Sequence, residues 1–118
     1  MRLRHLMKLW TFALLLMVGF DAKAQAAAFD ACVACHAKEG TGDLGPNLHG
    51  IVGRRAGSLE GFRYSRAMAR SGVVWDEKSL DAFLKAPDQF VPGTRMPFEG
   101  LASEAERAAV IRYLKTLK

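Results

Sequence analysis

The sequence predicts an all-α domain of short helices and long ordered loops, folded around something other than its own side chains. Three observations carry this reading. In the C-terminal half, apolar residues recur at helical spacing behind capping residues, and no alternating strand pattern competes. The 22 residues from Gly40 to Gly61 hold seven glycines and Pro46, with no sustained apolar period and few large apolar side chains. A domain of this length buries only around 60% of its unfolded surface, and loops beyond about 12–15 residues are uncommon in compact domains unless they are functional.

The first element is an export signal. Arg2, Arg4 and Lys8 precede an uncharged apolar run, Trp10 to Phe20, and Ala22-Lys23-Ala24 has the small-x-small pattern of a cleavage site. The run is 11 residues, short of the roughly 20 that span a bilayer as a helix. No stable membrane insertion is expected after processing. The boundaries are then 1–24 for a cleavable signal peptide and 25–118 for one domain; the alanine run also allows cleavage after Ala26, Ala27 or Ala28. The whole chain has 17 Lys+Arg against 12 Asp+Glu, a net charge of +5. Processing removes four cations and one anion, leaving 13 against 11, a net +2. A nucleic-acid partner is therefore not expected. Export places the domain in the periplasm, an oxidising compartment.

In the mature chain a short alanine-rich helix is expected from about Ala26 to Cys35. The glycine-rich loop follows. Ser65 caps a helix from Arg66 to Arg70, which Gly72 ends. Another begins at Asp76, with Leu80, Phe83 and Leu84 on one face, and stops at Pro87. Pro87, Pro92 and Pro97 are expected to hold an extended loop through Met96. In the last helix Ser103 and Glu106 form a capping box, and Val110, Tyr113, Leu114 and Leu117 form the apolar stripe. Arg112, Lys115 and Lys118 take the other face and favour the helix C-terminus.

Cys32-Val33-Ala34-Cys35-His36 is C-x-x-C-H, the attachment signature of c-type haem. The spacing has a mechanical reason. Two thiols on one helical turn can each add to a haem vinyl group, and the adjacent histidine then lies beneath the iron. Three other readings of the pair exist. A thioredoxin-like redox pair belongs in a βαβ context, which is absent. A zinc site needs a fourth ligand, for which His49 is the candidate, and a plain disulfide is the third. The export signal, the core short of apolar residues and a candidate sixth ligand downstream favour one covalent haem c. That ligand is Met96, in Pro92-Gly93-Thr94-Arg95-Met96-Pro97, where prolines restrict the backbone on both sides. Met68, within a helix, fits ordinary core packing instead.

The chain resembles the class I c-type cytochromes of the cytochrome c2 or c-550 type, similar to mitochondrial cytochrome c. The resemblance spans the mature chain in order. It runs through the C-x-x-C-H motif, Gly45-Pro46-Asn47-Leu48-His49-Gly50, Gly53-Arg54 with Gly57, and Gly61-Phe62-x-Tyr64-Ser65-x-Ala67-Met68. Ser71-Gly72, Trp75, Pro92-Gly93-Thr94-x-Met96-x-Phe98 and the Arg107 to Lys115 helix complete it. It implies a small cytochrome c fold wrapped around the haem. Pro46 would offer its carbonyl to His36. Arg54, Tyr64 and Trp75 would approach the haem propionates, Thr94 would brace the methionine loop, and Phe98 would cover the haem edge. Two departures stand out. Phe83 falls where a tyrosine hydroxyl often reaches the methionine sulfur. Gln25 replaces a tightly packed glycine four residues before Phe29, so a looser contact between the terminal helices is expected.

The function this implies is a soluble periplasmic single-electron carrier with His36 and Met96 as metal ligands and no catalytic residue. Its partners are redox proteins, met as a monomer in transient, charge-steered encounters. Arg54, Arg55, Arg63, Arg66 and Arg70 face only Glu60 across 17 residues, and Lys38, Lys85 and Arg95 are candidates to orient docking. Two alternatives differ in class: a haem subunit of a larger redox complex, or a protein that reacts with small ligands or peroxide once Met96 dissociates.

Overall fold

The computed structural model describes residues 22–36 and 44–118. Most of the expected signal peptide 1–24 lies outside the described residues, as does the part of the glycine-rich loop within 37–43 together with Lys38. The first helix, α1, covers residues 22–33 and so begins four residues before the expected Ala26. Alanine has the highest helix propensity, and the run through Ala22 and Ala24 extends the helix backwards. It stops short of Cys35 because the N–H groups of Cys35 and His36 both turn onto the Cys32 carbonyl, at 3.2 and 2.8 Å.

Ser65 caps α2 (Arg66–Arg70), its hydroxyl accepting from the Met68 N–H at 3.1 Å. The segment before the next helix is fastened to the glycine-rich loop by an isolated antiparallel bridge between Arg55 and Val74. Gly53 N–H donates to the Trp75 carbonyl at 2.7 Å, and Trp75 N–H returns to Arg54 at 2.9 Å. Nothing in the residue pattern announces this pairing, which is too short to show alternation.

The next helix, α3 (Glu77–Lys85), has Asp76 as N-cap and buries Leu80, Phe83 and Leu84 as expected. Beyond it the expected extended loop is partly wrong. Pro87 opens a one-turn helix, α4 (Pro87–Phe90). Proline has a fixed φ and lacks an N–H, which suits a first helical position, so the residue that ends one helix starts another. The last helix, α5 (Glu104–Thr116), is capped by Ser103, whose hydroxyl accepts from the Glu106 N–H at 3.2 Å. A full reciprocal capping box forms at α3, between Asp76 and Ser79.

The buried face of α5 is Arg107, Val110, Ile111 and Leu114, a turn earlier than the expected stripe, with Tyr113 and Leu117 half-buried. These side chains pack with α3, Trp75, Val91, Ile51 and Phe29 into one core. Trp75, Phe83 and Phe90 form an aromatic cluster, with Trp75 and Phe83 centroids 5.1 Å apart. Phe29 is 1% exposed and lies 4.7 Å from the Tyr113 ring, so α1 and α5 meet through an aromatic pair with Gln25 in the glycine's place.

The α3 cap has a pH signature. The Ser79 N–H, and then its hydroxyl, hold the Asp76 carboxyl below its ordinary value of 3.8. A depressed pKa means that the ionised cap stabilises the fold fully above that value and loses its effect as pH falls through the folded-state pKa. The stability gap between wild type and Asp76→Ala, measured by chemical denaturation, is expected to be constant above about pH 5 and to shrink steadily below pH 4.

Candidate functional site

The end of α1 supplies the first wall of the site. Cys32 lies in its last turn, and the fold-back after it delivers Cys35 and a buried His36. The His36 Nδ1 lies 2.8 Å from the Pro46 carbonyl. A carbonyl only accepts, so Nδ1 carries the proton and Nε2 keeps its lone pair for a metal. Gly45 makes this approach possible: a Cβ there would stand 2.8 Å from both Cε1 and Nδ1 of the imidazole. The loop is braced from behind. Arg54 donates to the Asn47 carbonyl at 3.0 Å and also to the His49 carbonyl, and Gly50 N–H donates to Leu117 at 2.7 Å.

The segment between α4 and α5 supplies the opposite element. Thr94 N–H bonds the Val91 carbonyl at 3.0 Å, and the Thr94 hydroxyl accepts from Met96 N–H at 3.4 Å. Phe98 N–H closes a tight turn onto the Met96 carbonyl at 2.9 Å.

These elements enclose a cavity of about 680 Å³, within the roughly 300–1,000 Å³ of small-molecule and cofactor sites. Cys32, Cys35, His36, Pro46, Arg54, Tyr64, Trp75, Thr94 and Met96 all line it. So do Phe62, Phe83 and Phe98, with Phe62 edge-on to Tyr64 at 4.8 Å. The charged residues of its described wall are arginines alone: Arg54, Arg55, Arg63 and Arg95. Burial, and then the neighbouring Cys35, push the Cys32 thiol up. No disulfide joins Cys32 and Cys35.

The donor set fits a flat iron porphyrin bearing carboxylates. It offers two thiols one turn apart, an imidazole with a free Nε2, a thioether sulfur, aromatic walls and cations. Zinc is not supported. His49 is exposed, with its Nδ1 3.3 Å from the Lys118 carbonyl, and it does not line the cavity. Among the described residues no group of three or more His, Cys, Asp and Glu is placed to hold a metal. Sequence reasoning missed Gly45 as a packing requirement, although it stands in a quoted motif, and it missed Arg54 as a clamp on the Pro46 loop.

The comparisons agree with this site. The Cytochrome c family model matches residues 22–118. Cytochrome c of Trypanosoma brucei brucei is 52% identical over 85 residues, covering 72% of this chain and 91% of that protein. Cytochrome c2 iso-2 of Magnetospirillum fulvum is 48% identical over 91 residues, covering 76% and 95%. Among solved structures, cytochrome cH from Methylobacterium extorquens superimposes with a TM-score of 0.77 at 41% identity, covering 80% of this chain and 97% of its own. Fold and site together define an all-α haem protein that transfers electrons and is not an enzyme. The chain belongs to the cytochrome c family, and its haem c is attached covalently through Cys32 and Cys35.

Gly45→Ala tests the packing around the histidine. The added methyl has no room beside the imidazole, so a loss of about 1–3 kcal/mol is expected. Thermal unfolding of the holoprotein checks it, and an unchanged midpoint would show that the loop yields freely.

Proposed function

We propose that the chain is a soluble periplasmic carrier of single electrons, with His36 and Met96 as the axial ligands of its iron. The observation that carries the reading is that one cavity receives both a histidine whose Nε2 is left free by Pro46 and a methionine on a pinned loop. Bound haem supplies one-electron Fe(III)/Fe(II) exchange. The residues decide how readily that exchange runs. Pro46 fixes the tautomer of His36 and raises the basicity of Nε2. The soft sulfur of Met96 favours the reduced state, and the apolar walls, Trp75 and Phe83 among them, disfavour added positive charge. Arg54, Tyr64 and Trp75 would meet the propionate carboxylates, where donors lower the cost of burying charge. Phe98 covers the edge.

Residues 1–24 are the export signal and 25–118 the working domain, with cleavage after Ala24 or within Ala26 to Ala28. The mature monomer carries a net +2 before the propionates are counted. Exposed Lys85 and Arg95 orient brief encounters with redox proteins, so transfer rates fall or rise with salt according to the partner's charge. Among the described residues no helix is long and apolar enough to cross a membrane.

Carbon monoxide and potentiometry test the axial pair. The reduced wild type is expected to resist carbon monoxide at neutral pH. Met96→Ala is expected to bind it rapidly and to lose roughly a tenth of a volt or more of potential, within the ~0.8 V range that axial ligands command. Rapid uptake by the wild type would overturn the six-coordinate carrier and favour a ligand-reactive protein, the alternative to which Phe83, without a hydroxyl, points.

A further inference from the structure

Arg107 is 5% exposed, more deeply buried than the other polar residues of the described interior, and it does not line the cavity. Its guanidinium is fully engaged in one direction. Nε donates to Asp81 Oδ1 at 2.7 Å, while Nη1 donates to the carbonyls of Leu101 and Ala102 at 2.8 and 2.9 Å. Holding α3 and α5 together does not require such a device. Leu80 and Leu84 already pack in one core with Val110, Ile111 and Leu114, and Lys115 pairs with Glu77. An apolar side chain of similar volume commonly serves a core as well as a buried ion pair does. What a guanidinium adds is geometry, because its planar fork fixes its acceptors in place.

The acceptors fixed here belong to the stretch that leaves Met96. Working back from Ala102, Leu101 N–H bonds the Leu84 carbonyl at 2.8 Å. Gly100 adopts a φ of +117° and lies flush on the end of α3, where a Cβ would collide with the Lys85 carbonyl. Phe98 N–H then reaches the Met96 carbonyl. A contact of this kind falls at Met96, Phe98, Gly100, Leu101 and Ala102, and the last tie is the guanidinium.

We propose that Arg107, oriented by Asp81, is a positioning residue for Met96, setting the place of its sulfur by anchoring the exit of its loop. The inference rests on the reading of Met96 as an axial ligand. Neither Arg107 nor Asp81 lines the cavity, so neither touches Met96 from within it, and the route the hydrogen bonds mark is the backbone from Ala102 back to Met96.

The test uses the full holoprotein with Arg107→Lys, Arg107→Met and Asp81→Ala. Asp76→Ala, which uncaps the far end of α3, is the control for lost stability alone. Three quantities are read: imidazole affinity of the oxidised protein, the intensity of the methionine–iron charge-transfer absorption, and hydrogen exchange at the Leu101 amide. In the Arg107 and Asp81 variants imidazole is expected to bind roughly three- to thirty-fold more tightly, the size of typical coupling within a network. The absorption weakens and Leu101 exchanges faster, with Arg107→Lys the mildest. Asp76→Ala is expected to destabilise the protein without moving the three readouts. The inference is overturned if the Arg107 and Asp81 variants lose stability yet bind imidazole no more tightly than Asp76→Ala. Met96→Ala separates the two layers. If it binds imidazole far more tightly than wild type while the other variants do not, the axial reading stands and this inference falls. If it binds no more tightly, the axial reading itself fails. Should Arg107→Met not fold, Asp81→Ala decides, since the Asp81 side chain is 44% exposed and its loss is tolerated more easily.

Discussion

The hydrogen bond from His36 to the Pro46 carbonyl is the contact on which the rest of the structure depends. It joins the fold-back after α1 to the glycine-rich loop. It also gives the ring a defined tautomer, with one nitrogen committed and the other available. The surroundings serve it. Gly45 gives up its side chain so that the ring can approach, Arg54 grips the carbonyls that follow Pro46, and Gly50 ties the same loop to the end of α5. The side chains form one core beside the cavity, and a few rigid contacts are arranged around the cofactor.

The same economy governs the other end of the cavity. Met96 lies outside the helices, and its position follows from Thr94 before it and the ties from Phe98 to Ala102 after it. Loops carry the chemistry here because helices hold their ends. α4 turns the chain after α3, and α5 receives it through Arg107. A cavity whose charged wall residues, among those described, are all arginines then offers carboxylates compensation that apolar walls would deny them.

Most of this was legible in the sequence, for identifiable reasons. The C-x-x-C-H motif, Met96 and the capped helices are local signals: each is a residue type at a spacing that one turn of backbone enforces. All nine residues expected from sequence to bind the cofactor line the same cavity. What escaped is tertiary. The buried stripe of α5 begins at Arg107 because Asp81, 26 residues away, is there to meet it. The Arg55–Val74 bridge is too short to leave a periodic trace. Pro87 reads as a stop, and only the path of the chain beyond it reveals that it is also a start. The α1 boundary moved because alanines favour helix on both sides of an expected cleavage site, and propensity does not mark where processing falls.

The most direct test of the central claim is proton and nitrogen NMR of the reduced, diamagnetic holoprotein. The account predicts a Met96 ε-methyl resonance moved far upfield by the porphyrin ring current, together with a slowly exchanging proton on His36 Nδ1. A Met96 methyl at its ordinary position, or a His36 ring with no protected Nδ1 proton, would contradict it.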